Sequence, residues 1–166
     1  NYNLTSDSHS NTAVGNNTLQ NISSGYGNTA FGFGALLSNG SGNTNTAVGL
    51  SALSSNSSGN YNTAVGEVAL QSNTDGEGNV AMGHKSMEFN NSGGFNVAVG
   101  SYALSKNINA YSNVAVGERA LDNNSSGQEN VAIGRHTLTT NETGNQNTAI
   151  GHGANVGFDN LSNATA

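Results

Sequence analysis

Cysteine is absent from the sequence, which excludes disulfide staples and thiolate metal sites. Cations are nearly as scarce: four Lys and Arg stand against ten Asp and Glu, for a net charge of -6. There is thus no basic surface for nucleic acid or anionic lipid, and the mild acidity reads as solubility. No apolar run approaches the roughly 18 residues of a membrane span, so membrane insertion is not expected of these residues. The chain starts at Asn1 with neither methionine nor a signal-like segment and reads as a processed product or a piece of a longer one. Leu, Ile, Val and Phe number only 31 of 166 residues, a share that borders on disorder. Charged residues make up only 8%, however, too little self-repulsion to hold a chain open.

Patterns of catalysis are missing too. His9, His84, His136 and His152 share no phase with a recurrent carboxylate and form no metal-ligand spacing. Asp75 and Glu77 flank Gly76 once, without a calcium-loop pattern. No Gly-x-Ser-x-Gly elbow is found, and a uniform rod offers no cleft for paired acids. The expectation is a protein without enzymatic activity, cofactor or metal.

What the sequence does contain is a period. A glycine closing the phrase Asn-(Thr/Val)-Ala-(Val/Ile/Phe/Met)-Gly recurs at Gly15, Gly32, Gly49, Gly66, Gly83, Gly100, Gly117, Gly134 and Gly151, always at 17 residues, without insertion or deletion. A fixed stride of this length marks a solenoid stacked from one small unit. Residues 1–10 read as an irregular entry cap or the ragged edge of a preceding coil, residues 11–155 as a nine-coil solenoid, and residues 156–166 as a return loop and the start of a further coil. Thr165-Ala166 repeats the phase of Thr148-Ala149, so the array is expected to continue.

Each unit has four parts. The first is a short strand by its period-2 alternation, with Val97 and Val99 on one face and Asn96, Ala98 and Gly100 on the other. A variable corner pair follows, such as Glu67-Val68, His84-Lys85, Glu118-Arg119 or Arg135-His136. Then comes Ala-Leu or a near relative, expected to be a second strand, with the large apolar residue missing only at Ala154-Asn155. Last is a loop of Asn, Ser and Gly, whose Gly25, Gly42, Gly59, Gly76, Gly93, Gly127 and Gly144 suggest a positive φ. Ala110 and Leu161 replace that glycine.

If one unit is one coil, equivalent residues lie about 4.8 Å apart and pair as parallel strands. Asn11, Asn28, Asn45, Asn62, Asn79, Asn96, Asn113, Asn130 and Asn147 then form one ladder of amides bonded from coil to coil. Inward candidates are few per unit, for example Val114, Val116 and Leu121, which makes a thin core and calls for a further burial surface. Ala13, Ala30, Ala47, Ala64, Ala81, Ala98, Ala115, Ala132 and Ala149 are expected on the opposite face, as a stripe by which identical chains pack. The alternative is a close approach of two layers within one chain.

The strand resembles the head repeats of YadA-type trimeric autotransporter adhesins, which read roughly Ser-Val-Ala-Ile-Gly. Asn130-Val131-Ala132-Ile133-Gly134 matches best, followed by Asn113-Val114-Ala115-Val116-Gly117. Arrays of Asn-Thr-Ala-Val-Gly and Ala-Leu are also similar to repeats of phage and viral tail fibres and of large bacterial surface proteins. The resemblance implies a left-handed parallel β-roll, three chains around one axis, and an extracellular adhesive or structural shaft on a cell surface or virion. The 17-residue unit is longer than the YadA-type repeat and needs a longer return loop. No counterpart of that family's neck, stalk or anchor stands in these residues.

Host-surface glycans or a receptor are the expected ligands, met by corners that include Glu67, His84, Lys85, Arg119, Arg135 and His136. The rival is a self-polymerising structural filament coated by sugar. Sequons at Asn39, Asn56, Asn90, Asn124 and Asn141 share one loop phase, where a glycan is expected to point outward. An ice-binding face is a lesser alternative: Thr12, Thr29, Thr46 and Thr63 form a column, interrupted by Val80, Val97, Val114 and Val131, which are expected to replace Thr facing inward.

Overall fold

The computed structural model describes residues 4–6, 10–156 and 161–166. It is an all-β parallel solenoid with no helix among those residues. Each motif contributes one strand of three residues: β2 (Thr12–Val14), β3 (Thr29–Phe31), β4 (Thr46–Val48), β5 (Thr63–Val65), β6 (Val80–Met82), β7 (Val97–Val99), β8 (Val114–Val116), β9 (Val131–Ile133) and β10 (Thr148–Ile150). Neighbours pair in parallel at a register of one repeat, Thr46 with Thr63 and Ala47 with Ala64, so one coil takes 17 residues and eight turns separate β2 from β10. At the far end Thr165 bridges Thr148 in parallel, so the chain rejoins the stack.

β1 (Leu4–Ser6) runs antiparallel to β2, against the direction of every other pairing. It covers the open edge of the first parallel strand. The rest of the expected irregular segment at 1–10, Ser10 excepted, lies outside the described residues, as do His9 and residues 157–160 of the expected last return loop.

Hydrogen bonding continues around the whole perimeter. Thr46 donates to the Asn62 carbonyl, Leu53 to that of Ala69 and Ser57 to that of Thr74, each one coil on. A backbone group buried inside such a stack therefore has a partner even where no strand is formed.

The interior is reversed from the expected one. Motif alanines Ala47, Ala64, Ala81 and Ala98 are fully buried, while the flanking residues face outward: Phe31 is 57% and Ile150 62% exposed. Val114 and Val116 are partly exposed on that outer face, whereas Leu121 is buried as expected. Alternation fixes which side chains share a face but not which face is inside. Two features decide it here. The motif alanines and the Ala-Leu pairs (Ala52-Leu53, Ala69-Leu70, Ala120-Leu121) form one continuous buried core. The motif Asn shares the alanine face and finds its hydrogen bonds only inside. All nine motif alanines lie in this intrachain core, which corrects the reading of them as a stripe between chains.

The Ala-Leu segment is a turn rather than a second strand. Its large residue has a left-handed backbone in coil after coil, with φ 49° at Leu36, 54° at Leu53 and 51° at Met87. That conformation costs a non-glycine residue about 1–2 kcal/mol, offset here by full burial of each side chain. Where the preceding alanine is Ser86, its hydroxyl donates to the Ala98 carbonyl at 3.1 Å, so the polar substitute is satisfied. Beyond Ala154-Asn155, where the large residue is missing, Val156 joins the core.

Candidate functional site

The features with most chemical content are two internal asparagine ladders and one outer flank. In the first ladder Asn45 Nδ2 donates to Asn28 Oδ1 at 3.1 Å and to the Gly59 carbonyl at 2.8 Å. Asn45 Oδ1 in turn accepts from the Asn62 backbone N–H at 2.9 Å and from Asn62 Nδ2 at 3.2 Å. Every donor and lone pair of the amide is used, which makes full burial tolerable. Side-chain rungs of this kind run from Asn11 to Asn130. At Asn147 the backbone N–H keeps the pattern and Nδ2 still reaches the loop carbonyl, here that of Leu161, but its other bond goes to Asn141 Oδ1.

The second ladder is built from the loop asparagines. Asn56 Nδ2 donates to Asn39 Oδ1 at 2.6 Å, Asn73 to Asn56 at 2.8 Å, Asn90 to Asn73 at 2.7 Å and Asn141 to Asn124 at 3.0 Å. Asn39, Asn56, Asn90, Asn124 and Asn141 are all 0% exposed. The five sequon asparagines are therefore interior supports and not outward glycan acceptors; an amide held this way is out of reach of a modifying enzyme.

Both ladders converge on the loop glycine, since the Gly59 carbonyl accepts Asn45 Nδ2 at 2.8 Å and Asn56 Nδ2 at 2.9 Å. The glycines at this phase do not have positive φ, contrary to expectation. They are glycine because a Cβ there meets the next coil's carbonyl and the loop amides, as at Gly42 with the Gly59 oxygen and Asn39 Oδ1. The motif glycine is different: Gly49 combines φ +138° with a Cβ position against the backbone of Gly66 and Glu67.

The corner residues lie on the outer surface and stack by coil. Tyr102 meets His84 edge-on with ring centroids 5.4 Å apart, with Lys85 Nζ 5.9 Å and the Arg119 guanidinium 5.2 Å from its ring centre. Arg135 pairs with Glu118 at 3.1 Å, and Arg119 with Asp122 at 3.8 Å. Burial raises the Asp122 carboxyl above its ordinary range, opposed by Arg119, Lys106 and His136. Glu67 is exposed one coil away. Among the described residues no group of three or more His, Asp and Glu is placed to hold a metal.

The threonine column lies on the outer face with Val80, Val97, Val114 and Val131 in line. These valines replace Thr outward, not inward as expected. On the neighbouring flank Phe89 and Ile108, which the sequence reading did not single out, are half exposed beside Lys106.

Compared with protein-family models, with curated proteins and with solved structures, the chain matches none.

Proposed function

We propose that the chain is a non-enzymatic section of an extracellular fibre, a stiff shaft with adhesive capacity on a cell surface or virion. The observation that carries this reading is the axial direction of the bonding: sheet, turns and both asparagine ladders all link each coil to the next. Tension along the axis is shared by many parallel hydrogen bonds, and outer residues are held at a constant interval of about 4.8 Å.

Chains pack around a common axis, in this reading as a homotrimer, through the outer sheet face. Its row Val48, Val65, Met82, Val99, Val116 and Ile133 is apolar and free of charge, the kind of patch that marks association. Sedimentation equilibrium at low concentration should give three times the chain mass, and Val65→Lys with Val99→Lys should yield monomers with an unchanged circular dichroism spectrum. A monomer at every concentration refutes the trimer. An open-ended mass distribution favours the self-polymerising filament instead, without sugar on the buried sequon asparagines.

The outward Thr12, Thr29, Thr46 and Thr63 favour one second reading, ice binding by a flat hydroxyl column. Thermal hysteresis of the folded chain tests it, and freezing at the colligative point disposes of it.

A further inference from the structure

We propose that the shallow groove between Phe89 and Ile108 binds a uronic acid residue of an acidic polysaccharide, with a sugar ring face on Phe89 and the carboxylate on Lys106. The proposal rests on the adhesive part of the fibre reading and names the site and ligand class.

The groove is open to solvent, has a volume of about 500 Å³ and is lined by Ser72, Phe89, Asn91, Lys106 and Ile108, a volume within the range of small-ligand sites. Its apolar residues are departures from the repeat. One coil before Phe89 the same phase holds Ser72, and one coil after Lys106 it holds Asn123; Ile108 is preceded by Asn91 and followed by Ser125. The repeat demands no apolar residue at either phase and leaves both half exposed, Phe89 at 51% and Ile108 at 50%. Single exposed apolar side chains are ordinary. Two on successive coils, facing one groove at phases that are otherwise small or polar, are selected for something outside the fold.

Charge sets the class of ligand. Among the described residues Lys85 pairs with Glu88, Arg119 with Asp122 and Arg135 with Glu118. Lys106 alone of the Lys and Arg residues has no carboxylate of the described residues within pairing distance, and its ammonium donates to Asn123 Oδ1 at 2.7 Å. Asp122 feels the Lys106 charge but is committed to Arg119. Asn91 Oδ1 accepts from Thr74 Oγ1 at 2.5 Å, which fixes the amide and leaves its N–H groups as donors. Among the described residues no acid lines the groove. A ligand that fits presents acceptors, a negative charge and one C–H-rich face, the description of a uronate; the Lys106 contact is a charge-assisted bond, the stronger kind.

An acidic peptide fits less well. Peptides that dock on β-proteins add main-chain bonds to a free strand edge, and here the local backbone is used between coils, Phe89 N–H to the Ser105 carbonyl and Asn91 N–H to that of Ile108.

The test is calorimetric titration of the whole chain with alginate hexamer, with maltohexaose and an acidic peptide as comparators. Alginate should bind, more weakly as salt rises. Phe89→Ser and Lys106→Asn, each of which copies the residue of an adjacent coil, should weaken it at least about tenfold with an unchanged melting temperature, and Lys106→Asn should also flatten the salt dependence. Equal binding of maltohexaose, preference for the peptide, indifference to both substitutions, or no alginate binding up to about 10 mM would each overturn the proposal. Small-angle scattering on the same samples keeps the two readings apart: a rod that ignores alginate sinks the groove alone, and a compact particle sinks the fibre.

Discussion

Ala110 stands where most coils have the loop glycine, and the second ladder is interrupted beside it. Asn107 Nδ2 still reaches Asn90 Oδ1 at 2.5 Å, but its bond to the Ala110 carbonyl is stretched to 3.5 Å. In an intact coil the equivalent bond, Asn73 Nδ2 to the Gly76 carbonyl, is 3.0 Å. Asn107 Oδ1 is the one buried side-chain polar atom among the described residues without a partner. A Cβ at this phase points at the loop Asn oxygen, as at Gly59 toward Asn56 Oδ1, so the Ala110 methyl displaces the amide that Asn124 would otherwise engage. Ala110→Gly should restore that rung. Satisfying a buried acceptor is worth about 1–3 kcal/mol, and the added freedom of glycine in the unfolded chain removes about 0.4–1 kcal/mol. Ala110 has no positive φ, so no strain is relieved. The net is about 1 kcal/mol of stabilisation, or about 2–4 °C in melting temperature at this chain length. Thermal unfolding by circular dichroism reads the magnitude, and side-chain amide exchange by NMR should show new protection at Asn124 Nδ2. A variant that melts lower, with the Asn124 amide exchanging as before, would mean that the methyl does not cause the gap.

The other predictions use the same geometry. Asn62→Ala removes donors to Asn45 and Gly76 and the acceptor for Asn79, and should destabilise by about 2–5 kcal/mol in denaturant unfolding. Ala64→Val overfills a fully buried site and should cost about 1–3 kcal/mol; a neutral result would return the alanines to an outer face. Val68 holds a β-branched side chain at φ 63°, where Asn or Gly stands in some other coils, so Val68→Asn should raise stability by about 1 kcal/mol. Asp122 has its carboxyl raised chiefly by burial, so the folded chain binds the proton more tightly than the unfolded one. Its contribution to stability falls as pH rises from the ordinary Asp range through the folded value, and Asp122→Asn should remove that fall in melting curves taken against pH.

The stride and strand position were legible because nine copies repeat without a gap, and the first ladder because its Asn never varies. The inward direction was not legible. Hydrophobicity puts Val inside, whereas in the structure the left-handed turns at Leu36, Leu53 and their equivalents share one core with the motif alanines. Those turns carry no mark in sequence, since Ala-Leu reads equally as strand. The second ladder was hidden by its neighbours: Asn39 and Asn56 precede Ser or Thr at the right distance and look like sequons. Asn73 and Asn107 hold the same phase without a following sequon, which was the available sign that the Asn itself was required. The groove residues Phe89 and Ile108 are departures from the repeat, visible once the loop phase is known to be outside.

The claim underlying all of this is that each repeat is one rung, its asparagines inside. Electron cryomicroscopy of the assembled fibre measures it most directly. The account predicts an axial rise of about 4.8 Å per 17 residues with amide density in two columns within each coil. A rise near twice that value, or asparagine side chains projecting into solvent, would contradict it.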